Sequence, residues 1–313
     1  MLESLTLKDP AGSARIFVRP VVEVYVFSTA PRQDVWPGML HFHRVFSQEW
    51  AAGLRWYKTN VMKRAQKLDV AGFMQLEQSL KSLKPNTRMW GLQQHSGSDA
   101  KDYAPPAFES FSEELSTRVP PSTSTYLRAC LPVELAREPQ RLLQFCHEAL
   151  RELPLDSGYC GYSCYWETGD SEADTQLQQV NRGWLKRFPG LAYGHPMTLL
   201  VLGKHGLPGV GWLTFLGENM IRQLSDRGRV LKELGQDVSI QEDWRSKAWL
   251  IRAGERPELG DVNRGETLPN YQRIGHALAE VRMADKWMDY FKIVGMDKVD
   301  ASAWYGRFFG GTA

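Results

Sequence analysis

Residues 16–28 read Ile-Phe-Val-Arg-Pro-Val-Val-Glu-Val-Tyr-Val-Phe-Ser, and the reading of this run decides the fold class. β-Branched and aromatic side chains dominate it, which is the composition of a strand. Pro20 removes one ladder donor, so the run is expected as one strand or two short ones near a sheet edge. Pro31 to Pro37 then breaks the pattern. From Met39 to Lys58 the apolar residues Leu40, Phe42, Val45, Phe46, Trp50, Leu54 and Tyr57 recur at helical spacing. A second amphipathic stretch, Val70 to Leu83, stops before Pro85, and 87–94 and 107–115 read as strands.

The order then begins again. Ser124–Leu131 alternates as a strand, and Glu134–Leu153 is helical with an interruption at Pro139. Tyr159–Glu167 is a strand, and Thr175–Leu185 is a helix ending near Phe188-Pro189-Gly190. A short strand (210–215), a helix (218–235), a hairpin (238–244 with 248–253) and a last helix (271–281) follow. The aromatic-rich end, 287–309, has no clear period. Irregular alternation with adjacent strands points to an α+β fold, with mixed, largely antiparallel sheets flanked by helices. The β-α-β-β order occurs twice, as in two related halves. The Pro/Ser/Thr stretch Val119–Thr123 is the natural seam between subdomains 1–119 and 120–313. One continuous domain with a shared sheet is the alternative.

Composition narrows the function classes. A chain of 313 residues with 42% hydrophobic and 24% charged residues has enough apolar material for a core without staples. The formal net charge of +2 and the lack of a basic stripe argue against nucleic-acid binding and against bulk acidic mimicry of DNA. The first ten residues lack a basic segment followed by an apolar one, and no run approaches a membrane span. Four cysteines in this length fit a reducing compartment, so the expected location is cytoplasmic.

The search for chemistry returns little. Cys160-x3-Cys164 puts both thiols on one face of a strand beside Tyr162 and Trp166, which suits buried apolar cysteines better than a zinc site. His41 and His43, two apart on a helix, face different directions. No metal or cofactor is expected. Gly161-Tyr162-Ser163 is not a nucleophile elbow. The glycine-rich 203–211 precedes a strand and fits neither the dinucleotide fingerprint nor the P-loop spacing. An enzyme would need a site assembled from distant residues, with His195, Cys160 and Cys164 the candidates. The remaining feature is electrostatic: Glu167, Asp170, Glu172 and Asp174 follow the 159–166 strand and precede a helix. The plainer reading is an exposed helix start with acids suited to its dipole. The sharper one is an acidic tongue that meets a basic partner. Glu109, Glu113 and Glu114 form a weaker acidic cluster.

Several pieces resemble one bacterial family: Gly161-Tyr-Ser-Cys-Tyr-Trp166, Arg187-Phe-Pro-Gly-Leu191, Val210-Gly-Trp-Leu-Thr-Phe-Leu-Gly217, and Ala253-Gly-Glu-Arg-Pro-Glu-Leu-Gly-Asp261 through Leu268-Pro-Asn-Tyr271. The family is that of type VI secretion immunity proteins, which neutralise nuclease effectors of the VRR-NUC and related restriction-endonuclease-like classes. The resemblance is best over 124–281, and residues before Ala14 or after Met283 add nothing to it. It implies a non-enzymatic antitoxin, with a cognate secreted nuclease effector as partner and no direct contact with nucleic acid or membrane. Such a protein would occlude the effector's active or DNA-binding surface. Placement of charge and aromatic residues, rather than the family motif, selects Glu167, Asp170, Glu172 and Asp174 as the contact acids. Trp166, Trp244 and Trp249 are selected in the same way as apolar anchors.

Overall fold

The structure, a computed structural model, describes residues 2–69, 88–114, 123–168, 170–203, 205–235, 238–243 and 247–310. Residues 16–28 form a single strand, β2 (Ile16–Ser28), after a two-residue strand β1 (Leu7–Lys8) that pairs with it. The edge position expected from Pro20 is overturned, because β2 lies inside the sheet, hydrogen-bonded on both sides. Pro20 is tolerated for a local reason. Pairing on one side starts only at Val21, and Pro20 is one residue from the end of the pairing on the other. A missing N–H therefore falls where the ladders run out.

Helix α1 spans Arg32–Trp50, and the strands that follow it are β3 (Trp56–Thr59), β4 (Gln66–Lys67), β5 (Met89–His95), β6 (Ala107–Glu114) and β7 (Thr123–Pro132). The helix thus starts and ends earlier than the spacing predicts, and Tyr57 and Lys58 are in a strand. Pro37 sits inside the helix. The hydrogen bond it removes is outweighed by burial of Val35, Met39, Phe42, Phe46 and Trp50 along one face. The predicted helix at Val70–Leu83 and most of the Val119–Thr123 seam lie outside the described residues.

The second part contributes α2 (Pro139–Leu150), β8 (Ser157–Tyr165), α3 (Ser171–Arg187), α4 (Pro196–Gly203), β9 (Leu213–Leu216), α5 (Glu218–Gln223), α6 (Arg227–Leu234), β10 (Val238–Asp243), β11 (Ala248–Ala253), α7 (Pro269–Ala277) and α8 (Lys298–Gly306). Pro139 opens α2 at its first turn, where its missing N–H has no partner to lose. The single helix expected over 218–235 is two, α5 and α6, with the capping Asp226 starting the second. Helix α4 has no counterpart in the sequence reading, since it is apolar all round and shows no helical period.

The fold is α+β. Its sheet follows one path, β10-β11-β9-β8-β2-β7-β6-β5-β3-β4, and these neighbours all run antiparallel. Strand β2 comes from before residue 119, yet it sits between β7 and β8 from after it. Helices α1 and α2 cover one face, where Phe42 and Phe46 meet Phe108 of β6, and Phe42 and Trp50 meet Phe145 of α2.

Register aligns Gln93, Glu109, Arg128, Tyr25 and Tyr159 in one row across β5, β6, β7, β2 and β8. At its centre Arg128 is fully buried. Its Nε donates to Glu23, one terminal nitrogen donates to Glu109 at 3.1 Å, and the other donates to the Cys164 carbonyl at 3.2 Å. Tyr159 donates its hydroxyl to Glu23 at 3.0 Å. Phe111, Tyr126, Tyr25 and Tyr159 stack along the same face with centroids 5.7 to 6.0 Å apart. Burial pushes the Glu109 carboxyl up, against the pull of Arg128. Gly194 closes over the guanidinium, where a Cβ would come within 2.8 Å of it.

Arg128→Met strands two buried carboxylates. Urea unfolding at pH 7 is expected to show a loss of about 3–5 kcal/mol. The loss should shrink as pH falls, because an unpaired buried carboxyl has a raised pKa and protonation relieves it. A loss below about 1 kcal/mol, the scale of exposed pairs, would show the cluster is dispensable.

Candidate functional site

The four acids after β8 do different work. Asp170 is the N-cap of α3 and accepts from the Glu172 and Ala173 amides at 2.9 and 3.3 Å. Asp174, one turn on, accepts the indole N–H of Trp166 at 3.1 Å and so fixes a fully buried ring beneath the helix start. Arg15 pairs with Asp170 and, at 3.2 Å, with Glu172. Partial burial opposes ionisation of Asp170, but the Arg15 and amide hydrogen bonds outweigh it, and its carboxyl lies below the usual range. Glu167 is half-buried, and burial followed by the nearby Asp170 charge raises its pKa. Glu172 is the outward carboxylate, with 59% of its side chain exposed.

Asp174, alone of these four acids, lines a cleft of about 880 Å³ beside the start of α3. Ser171, Asp174 and Gln178 line it together with Phe291, Lys292, residues 293–296, Tyr193 and His195. His195 stacks on Tyr193, and burial followed by the Arg128 charge lowers its pKa. The 289–298 wall was not legible in the sequence, where only the aromatic content of 287–309 marked it.

Trp166 and Trp249 are both buried, at 1% and 4% exposure. They are not brought together. Trp249 of β11 is level with Ser157, while Trp166 follows Tyr165 at the other end of β8, roughly 26 Å along the strand. Trp244 lies outside the described residues. Glu109 belongs to the buried row and not to the surface.

The cysteines are buried and unpaired. Burial, then the hydrogen bond with Cys146, pushes the Cys160 thiol far up, and burial pushes Cys164 up to about 12. The nucleophile of the enzyme alternative is therefore held protonated. His41 and His43 diverge. His41 Nε2 lies 2.8 Å from the Glu148 carbonyl, and His43 Nε2 lies 2.9 Å from Gln94. Among the described residues no group of three or more His, Cys, Asp or Glu is placed to hold a metal ion.

The sequence pieces that stood out converge elsewhere, in one knot at the end of α3. Arg187 grips the buried Asp261 with two hydrogen bonds of 2.9 and 2.7 Å, and Asp261 accepts the Asn263 amide. The Gly190 amide donates to the Leu259 carbonyl at 2.7 Å, an approach that a Cβ would block because it would lie 2.1 Å from the Glu258 oxygen. Trp212 donates its indole N–H to the Gly254 carbonyl, and Tyr271 accepts the Glu258 amide. These residues are turn and packing determinants.

A family model described as TsiV, type VI immunity for VRR-NUC, matches residues 38–308, from within α1 to just beyond α8. This chain belongs to the TsiV family. The match extends past Met283, which corrects the limit read from the sequence. The tail is part of the same fold, as Trp304 packs on Tyr193 and Arg307 donates to the Pro189 carbonyl. Pseudomonas aeruginosa T6SS protein PA0821 has a similar structure, with a TM-score of 0.73 over 98% of this chain and 92% of that one. At 14% identity the likeness is one of fold. No curated protein matches the chain in sequence. No helix among the described residues is long and apolar enough to cross a membrane.

The TsiV knot has a pH signature. The Asp261 carboxyl is held below its usual range, first by Arg187, so its contribution is complete above the unfolded pKa of about 3.9 and disappears as pH falls through the folded one. Asp261→Asn should be less stable than the parent at pH 6, with the gap closing as pH falls below about 4. A gap independent of pH, followed by chemical unfolding, would remove the ion pair from the knot.

Proposed function

We propose that this chain binds and neutralises a cognate VRR-NUC nuclease effector in the cytoplasm, by covering its active or DNA-binding surface and without catalysis of its own. Membership of the immunity family over 38–308 carries the reading. A nuclease grips phosphates with basic residues, and an inhibitor that puts carboxylates where phosphates would lie competes for the same groups. Glu172, exposed at the start of α3, is the acid best placed for this. Asp170, Asp174 and the Glu167 carbonyl, which accepts the Asp170 amide, hold the turn that presents it, and Trp166 supports the turn from below. Reduced, buried cysteines agree with a cytoplasmic site of action.

Co-expression with the effector encoded beside it should restore growth, and the two proteins should co-purify. Arrest despite abundant folded protein would refute the reading. Glu172→Lys is expected to slow association roughly threefold to tenfold at low salt and to flatten its salt dependence, with melting followed alongside because the change also sets a cation against Arg15 at the helix start. Replacing Asp170, Glu172 and Asp174 together by Ala should weaken binding further, but it also removes a cap worth about 1 kcal/mol, so melting must be followed alongside. An association rate unmoved by either change would leave the turn as solvated surface.

Cys160 and Cys164 should resist iodoacetamide at pH 8 in the native protein and react once it is unfolded. Rapid native labelling would revive the enzyme alternative.

A further inference from the structure

Packing explains most of the stretch from Ala253 to Tyr271. The Ala253 amide donates to the Trp212 carbonyl, Gly254 receives the Trp212 indole, the Leu259 carbonyl receives Gly190, and Asp261 receives Arg187. The side chains this leaves over, Arg252, Glu255, Arg256, Glu258 and Asn270, share one place. With Arg273 of α7 they line a cleft of about 710 Å³. Among the described residues neither Arg252 nor Arg256 forms an ion pair, although Arg252 is half-buried on β11. A half-buried arginine without a carboxylate partner is an unusual use of the side chain best suited to bidentate recognition.

We propose that this cleft receives a carboxylate-bearing segment of the effector, with Arg252 and Arg256 as the fork that binds it. The proposal rests on the immunity reading and adds a second contact surface to the acidic turn. Charge favours a peptide over a phosphate polymer. Glu255 and Glu258 line the same cleft and would repel a continuous run of phosphates. An acidic side chain with basic neighbours satisfies both signs at once.

The test compares the chain with Arg252→Gln/Arg256→Gln and with Glu255→Gln/Glu258→Gln. Calorimetry against the catalytically inactive effector should show the arginine variant weakened about tenfold or more and less salt-sensitive, with an unchanged melting temperature. The glutamate variant should lose affinity for the basic flank but keep arginine-dependent binding. Equal affinity of parent and arginine variant overturns the proposal. A second arm needs no effector: a tri-glutamate peptide and tripolyphosphate are titrated at low salt while the arginine Nε–H signals are followed by NMR. Shifts at Arg252 and Arg256 with the peptide, absent from the arginine variant, support the cleft even if the effector does not bind, in which case the immunity reading alone fails. No shift with either probe, or shifts with tripolyphosphate only, overturns it.

Discussion

Arg128 has to find partners without water, and much of the sheet is arranged to supply them. An isolated guanidinium in this interior would be prohibitive, so its donors are met by Glu23 on β2, Glu109 on β6 and the Cys164 carbonyl on β8, while Tyr165 offers a ring face 5.2 Å away. Those partners come from strands far apart in sequence. A slip of one residue in β2 or β6 would turn its carboxylate to the α1 face, among Phe42, Phe108 and Phe145 and away from Arg128. The polar row thus works against alternative registers more than it adds to net stability.

Around that centre the molecule divides its labour. The knot formed by Arg187, Gly190, Trp212, Asp261 and Tyr271 ties the end of α3 to the turns beyond β11 and is built from the sequence pieces that carry the resemblance. The surfaces proposed to meet a partner lie beside these pieces. The outward Glu172 stands on a turn held by Asp170, Asp174 and the buried Trp166, and the arginine cleft is made of what the knot leaves over. A rigid platform with charged groups of both signs at its rim suits a binder, because ordering cost is met in folding and association can be steered by charge.

Some of the candidate site was legible and some was not, for identifiable reasons. The acids after Trp166 were visible as a charge run next to a helix start. Their roles were not, because a cap, an indole acceptor and an exposed ion-paired carboxylate have the same composition and differ only in what lies around them. The tryptophans read as anchors were misleading in kind, since a large aromatic is equally at home in a core and an interface, and Trp166 and Trp249 are in the core. Arg252 attracted no notice in sequence, and Arg256 drew it only as part of a turn, because their meaning depends on Asn270 and Arg273 folding back beside them.

By itself the sequence determined the α+β class, most of the elements between Ser124 and Ala277, the lack of a contiguous catalytic motif and the family. Period, turn residues and short motifs are local properties, and local properties survive without the fold. Tertiary structure alone decided that β2 is central, that α1 runs through Pro37, that α4 exists and that one polar row crosses five strands. Each of these sets a local preference against burial elsewhere in the chain, and the outcome depends on contacts between residues a hundred or more positions apart.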